Sequence, residues 1–383
     1  MIGAGVFAAF APAAAAAGRF LLAALALAAV VAYCNATSSA RLAARHPESG
    51  GTYVYGRRRL GPLWGYLAGW GFTVGKTASC AAMALTFGSY VAPDLAKPLA
   101  VAAVVALTLL NLFGVQRSAT VARVIVVLVL AVLAAVIVAG LTGPVPPLEP
   151  GLRTDSPFLT ASDLWGVLQG AGLLFFAFAG YARIATLGEE VRDPARVIPR
   201  AVGIALGVTL VVYTLVAVAA LRTLDWIRLE RSPAPLADVV REAGAAWMVP
   251  VVGVGAAVAS LGALLALLLG VSRTMLAMAR ERDLPPLLAA VDPVHHVPRR
   301  AEVAVGAAVV VLVLVADLRG AIGFSSFGVL VYYAIANASA LTLSKEEGAP
   351  VKAVPVIGLV LCLVLAVTLP LGSVLAGTAV FAV

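Results

Sequence analysis

Residues 175–181 read FFAFAGY and residues 3–7 read GAGVF. Both stretches set glycine inside a run that otherwise suits a membrane helix. Lipid cannot satisfy a freed N–H or C=O group, so a break at membrane depth persists only where it lines a cavity or a ligand. Freed N–H groups at the start of a half-helix favour a carboxylate, and freed carbonyls favour an ammonium group. The two breaks together therefore suit a zwitterion. Glycine in a membrane helix is also a close-packing point. That explanation is preferred for Gly61, Gly65 and Gly69, spaced four apart, and on pattern alone it stays open for Gly3 and Gly5.

Composition supports the membrane setting. A chain of 383 residues that is 62% hydrophobic and 12% charged, with a mean hydropathy of +1.02, is not an ordinary soluble domain. A helix needs about 20 apolar residues to cross the hydrocarbon core. Segments 20–40, 98–116, 124–148, 164–182, 201–221, 243–272 and 320–344 hold no Asp, Glu, Lys or Arg, and 60–93 holds only Lys76. Segment 303–316 is shorter, and the uncharged stretch after Lys352 is broken at Pro370 and Gly372 into two short spans. With the opening fragment, an all-α polytopic membrane protein of about twelve spans is expected.

Most of the Lys and Arg residues fall on one side of that arrangement, among them Arg41, Arg45, Arg57, Arg58, Arg59, Arg273, Arg280, Arg282, Arg299, Arg300, Lys345 and Lys352. The positive-inside rule places that side in the cytoplasm, and the net charge of +8 reads as topology rather than nucleic-acid binding. The breaks then fall in spans 1 and 6, corresponding positions of two five-span halves in an inverted-repeat transporter. One transmembrane domain is expected, with repeats at 1–142 and 161–344 and two additional spans at 353–383.

Other motifs lose their force on inspection. Gly75-Lys76-Thr77 invites a phosphate-loop reading, but Trp70 stands where the first glycine belongs and no strand precedes it. His46, His295 and His296, with Asp292 nearby, lack a ligand set at metal spacing. No nucleophile elbow or His-Glu-x-x-His helix is present. Cys34, Cys80 and Cys362 all fall in spans, so no disulfide framework is implied. No Lys or Arg precedes Arg19, which argues against a signal peptide.

GAGVF, ARHPESGGTYVYGRRRLGPLWGYLAGW (44–70), FFAFAGYARIATLGEEVRDPARVIPRA (175–201) and GVSRTMLAMARERDLP (270–285) resemble the amino acid permeases of the amino acid–polyamine–organocation superfamily, over essentially the whole chain. The resemblance implies a five-plus-five inverted repeat with two further C-terminal helices, no cofactor, and secondary active uptake of amino acids or related amines. Family members carry a cytoplasmic tail and the first half of helix 1 before the Gly-x-Gly break. This chain starts without them, so an upstream extension is expected to raise transport. An exchanger for acidic substrates, a non-transporting sensor and a channel are the alternatives.

The candidate substrate site comprises Gly3, Ala4 and Gly5 from the first break and Phe176, Phe178, Ala179, Gly180 and Tyr181 from the second. Glu189 and Glu190 are expected to pair with basic inner loops and hold an inward gate closed. Lys76 lies about 16 residues into its span, near the bilayer middle at roughly 1.5 Å per residue. A charge there costs about 2.5–3.5 kcal/mol even on the lenient insertion scale. An amine escapes much of that cost by releasing its proton, so such a lysine can carry a proton through a cycle. Proton-coupled relatives carry a lysine in helix 5 at a position that aligns with Val129 here, so Lys76 takes a related role from another helix. Arg183 lies three residues past Gly180, and two cations near one cavity also suit an acidic substrate. A Lys76 bound to a carbonyl for packing alone is the third possibility.

Overall fold

The computed structural model describes residues 2–46, 50–114, 119–145, 160–181, 194–293 and 295–382. These residues are helical, with no strand among them. In chain order the helices are α1 (Gly5–Ala8), α2 (Phe10–Ala17), α3 (Leu21–Arg45), α4 (Thr52–Arg59), α5 (Pro62–Val91), α6 (Ala96–Leu112), α7 (Ala119–Thr142) and α8 (Ala161–Phe178). There follow α9 (Pro194–Arg231), α10 (Pro235–Glu242), α11 (Val249–Arg280), α12 (Arg299–Val315), α13 (Leu318–Leu341), α14 (Ala353–Thr368) and α15 (Leu371–Phe381).

Local chemistry sets several boundaries. Gly61 stands at φ +111° with open space where a side chain would go, so the backbone conformation itself calls for glycine. Pro62 then starts α5 at a position that needs no N–H donor. Helix α8 opens on a reciprocal cap: the Thr160 hydroxyl accepts from Asp163 N at 3.2 Å and Asp163 Oδ2 accepts from Thr160 N at 2.9 Å. Asp225, at φ 52°, interrupts α9, and its carboxylate caps the restarted helix by accepting from Ile227 N at 2.7 Å and Arg228 N at 3.0 Å.

Helix α5 runs through the middle of the bundle against α11 and α13. It crosses α13 on glycines: a Cβ on Gly71 would lie 2.9 Å from the Gly328 carbonyl oxygen, and one on Gly328 would lie 2.8 Å from that of Gly71. A hydroxyl pair, Ser79 with Ser325 at 2.6 Å, joins the same two helices beyond Gly71 on α5 and just before Gly328 on α13. Small residues let backbones approach where lipid gives helices no hydrophobic reason to associate.

Seven segments are long and apolar enough to cross a membrane, or eight when the bent pair α14–α15 counts as one span. The opening span is not separate from the second in that set, where both lie in Phe10–Arg45, and two other expected spans fall outside it. Helix α12 has 17 residues, and α5, with 30, carries Thr73, Lys76, Thr77, Ser79 and Thr86 on buried positions. An internal helix faces protein on all sides and need not be apolar all round. Pro370 separates α14 from α15 with a bend of 113°. Helix α15 has 11 residues, about 17 Å at the helical rise, which is too short to cross by itself.

Candidate functional site

The last carbonyls of a helix lack intrahelical donors, and at the end of α8 two of them are met by side chains from elsewhere. Helix α8 gives way after Phe178 to a short 3₁₀ turn, Ala179–Tyr181. The Tyr213 hydroxyl of α9 donates to Ala177 O at 3.0 Å. The Lys76 ammonium of α5 donates to Ala179 O at 3.1 Å. Lys76 is 6% exposed, and among the described residues it belongs to no ion pair. Gly75, Lys76 and Thr77 all sit inside α5, where the Thr77 hydroxyl bonds back to Thr73 O at 2.7 Å, so the phosphate-loop pattern has no loop.

The start of the chain comes to the same place. A Cβ on Gly5 would lie 2.6 Å from Ala177 Cα and 2.9 Å from its Cβ. Gly5 is thus the point where the first helix touches the last turn of α8. From Ala4 (φ −56°, ψ −27°) the backbone is helical through Ala9 (φ −83°, ψ −21°), so the close approach at Gly5 is a helix-packing contact. Gly3 borders α11, its added Cβ falling 3.7 Å from that of Ala263. Ala4 is buried.

Aromatic side chains surround this junction. Phe178 is fully buried, its ring 5.1 Å from that of Tyr213, and Tyr213 also meets Phe10 edge-on at 6.4 Å. Phe176 is 8% exposed, Ala179 is buried, and Gly180 is exposed. Tyr181 closes the 3₁₀ turn. Arg183, Glu189 and Glu190 lie outside the described residues.

Two participants were not singled out from the sequence, Tyr213 and Tyr90. The Tyr90 hydroxyl, at the end of α5, donates to Phe7 O at 3.1 Å and accepts from Leu236 N of α10 at 3.1 Å. It ties the first helix to the short amphipathic α10. The available signal was chemical: a phenol inside an apolar span needs a partner for its O–H.

On the side assigned to the cytoplasm, α4 is tied to two other elements. Asp283, just past α11, accepts from Arg57 at 2.8 Å and from the Tyr53 hydroxyl at 2.7 Å, with Glu281 3.8 Å from Arg57. Burial and the neighbouring Asp283 carboxylate push the Tyr53 phenol up. Glu347, between α13 and α14, accepts two bonds from Arg59 and one from Arg45 at 3.2 Å. The Arg59 bonds, then the Ser344 N–H, hold its carboxyl down at about 2. The histidines serve these loops: His46 accepts from Arg59 at 3.2 Å, and Asp292 holds the 292–299 turn through His295 N and Arg299, each at 2.9 Å.

The profile of the family described as amino acid permease matches residues 1–380. Over 100% of its length the chain is 65% identical to an uncharacterised transporter of Mycobacterium tuberculosis, covering 86% of that protein. It is 28% identical to cationic amino acid transporter 7, chloroplastic, of Arabidopsis thaliana over 88% of this chain and 62% of that one. It is 26% identical to cationic amino acid transporter 4 of Homo sapiens, over 87% of this chain and 56% of that one. These similarities and the apolar helices describe a multi-pass membrane transporter, with an amino acid as the substrate class its family implies. The chain belongs to the amino acid permease family.

Proposed function

We propose that this protein imports amino acids or related amines by alternating access and that a proton carried by Lys76 drives accumulation. The observation that carries the proposal is the bond from Lys76 Nζ to Ala179 O, 3.1 Å, at the end of α8. A buried amine whose partner is a carbonyl has no carboxylate to hold its proton permanently. It sits where the backbone of the expected sixth span leaves the α-helix, so gain or loss of that proton changes the bonding of the same carbonyl that a substrate ammonium group would use. The inverted repeat, with halves at 1–142 and 161–344 and the segment 353–383 outside them, supplies the rocking motion in this proposal. The substrate site comprises Gly3, Ala4 and Gly5 beside Phe176, Phe178, Ala179, Gly180 and Tyr181. By sequence position alone, Arg183 joins Lys76 in coupling in this proposal, and Glu189 and Glu190 serve the inner gate.

The test is uptake into proteoliposomes across a panel of amino acids, with and without an inwardly directed proton gradient. Basic amino acids belong in the panel because the plant and human relatives are named for cationic substrates. Accumulation above equilibrium that collapses with a protonophore, together with acceleration by substrate on the opposite face, supports a proton-coupled carrier. Binding without flux would indicate a sensor, flux without counterflow a channel, and exchange indifferent to pH an exchanger.

A further inference from the structure

Helices α3 and α9 pack together but leave a crevice of about 230 Å³ between them. Helix α3 ends and α9 begins on the side assigned to the cytoplasm. Arg41 and Pro199 therefore line the cytoplasmic end of the crevice, and Tyr33 and Leu206 the deeper one. From Arg41 to Tyr33 is about 12 Å at the helical rise. Between the two ends the walls are low: Ala36 and Ala40 on α3, and on α9 Gly203, where a Cβ would meet nothing within 4 Å. The crevice opens on the outer face of the bundle, since Tyr33 is 56% exposed and Ile204, beside Gly203, is 70% exposed. Arg41 and Arg200, the residue after Pro199, are exposed at the cytoplasmic end, and Thr37 lines the crevice one turn below Arg41. The turn between α13 and α14 borders Arg41, a Cβ on Gly348 falling 4.0 Å from its Nη1. In that turn Glu347 accepts from Arg59 and Arg45, while Lys345 and Glu346 are both exposed and offset each other in charge.

We infer that this crevice binds an anionic phospholipid of the cytoplasmic leaflet, its phosphate at Arg41 and part of one acyl chain lying along Ala40, Ala36 and Gly203. The order of chemistry down the crevice is a guanidinium, a hydroxyl and then alkyl surface. A glycerophospholipid presents the matching order of phosphate, ester and hydrocarbon chain. A soluble anion would use the guanidinium and leave the apolar walls unfilled, and a purely apolar molecule would do the reverse. Basic recesses between membrane helices on the cytoplasmic side suit anionic headgroups for this reason. One arginine at the membrane surface strengthens binding of such a headgroup by about fivefold. The site lies on the lipid-facing side of the bundle and does not depend on the transport proposal.

The test is native mass spectrometry of the full chain in detergent, titrated with dioleoyl phosphatidylglycerol and, separately, dioleoyl phosphatidylcholine, to give the Kd of the first lipid bound. Phosphatidylglycerol is expected to bind more tightly than phosphatidylcholine. Arg41→Gln should weaken phosphatidylglycerol about fivefold and leave phosphatidylcholine unchanged. Gly203→Leu fills the crevice from a position with open space and should weaken both lipids. Lys352→Gln removes an exposed charge on the same side but outside the crevice and should change neither. Arg41 and Gly203 are both exposed, so the variants should fold, and the rise in unfolding midpoint on adding each lipid checks the same ranking. Unchanged phosphatidylglycerol binding in either Arg41→Gln or Gly203→Leu overturns the inference. An equal loss in Lys352→Gln also overturns it, because the attraction then comes from the charge of the whole face. Displacement of the lipid by an equal concentration of inorganic phosphate would assign Arg41 to a soluble anion instead. A dimer that Gly203→Leu dissociates in the absence of lipid would assign the crevice to a second copy of the chain, and either result overturns the lipid site.

Discussion

Lys76 and Ala179 are 103 residues apart in the chain and joined by one hydrogen bond of 3.1 Å from the ammonium to the carbonyl. The bond brings the charged residue inside an expected span to the place where α8 leaves the α-helix. Removing it tests the coupling directly. Lys76→Met is expected to keep exchange of unlabelled for labelled substrate while abolishing accumulation on a pH gradient. Uptake above equilibrium in that variant would assign the coupling proton to another group.

Gly5 touches the backbone of Ala177, so a side chain there forces the first helix away from α8. Gly5→Ala is expected to destabilise by about 1–3 kcal/mol, the usual cost of overpacking, and Gly5→Val by more, each lowering the midpoint of thermal unfolding in detergent. Gly203 is the control: a Cβ there meets nothing within 4 Å, and Gly203→Ala should be neutral or slightly stabilising through helix propensity.

Tyr213→Phe keeps the ring that packs on Phe10 and Phe178 but leaves Ala177 O without its donor. A loss of about 1 kcal/mol is expected, visible as a small drop in the unfolding midpoint. Tyr213→Ala adds a cavity among buried rings and should cost about 3–5 kcal/mol. Equal midpoints for the two variants would mean that the ring contributes nothing.

Arg57 and Asp283 join α4 to the end of α11, and their coupling is measurable by a double-mutant cycle with Arg57→Gln and Asp283→Asn. Both side chains retain some solvent contact, so a coupling of about 0.5–1 kcal/mol is expected. It should shrink as salt is added.

Glu347 supplies a pH test whose sign follows from its depressed pKa. A carboxyl held at about 2 in the folded protein adds stability above the ordinary carboxylate range and loses that contribution as the pH falls through about 2. Glu347→Gln should therefore unfold at a lower temperature than the unmodified protein near neutrality. The difference should narrow on acidification and close once Glu347 is protonated in both states. A gap that widens with acid would contradict the sign.

The sequence by itself determined the membrane setting, the helical class and the positions of most long spans, because uncharged runs of sufficient length have one stable outcome in lipid. It also marked Lys76 as exceptional, since one charge in an otherwise uncharged run stands out without any knowledge of its neighbours. It marked residues 175–181 as a break inside a span; α8 ends at Phe178, and the residues after Tyr181 lie outside the described ones. The partners of those residues were not legible. That Lys76 meets Ala179, that Gly5 abuts Ala177 and that Tyr213 and Tyr90 cap particular carbonyls are contacts between residues 36 to 172 positions apart. Composition and periodicity describe which face of a helix is apolar; they do not say which helix lies against it. The kind of break at the first glycines also waited for the fold. A Gly-x-Gly pattern permits both a non-helical backbone and a close crossing; at Gly5 the backbone is helical and α8 lies against it, whereas Gly3 lies outside the helix. The short α15 has the same origin, because hydropathy counts apolar residues while the 113° bend at Pro370 sets how far they reach.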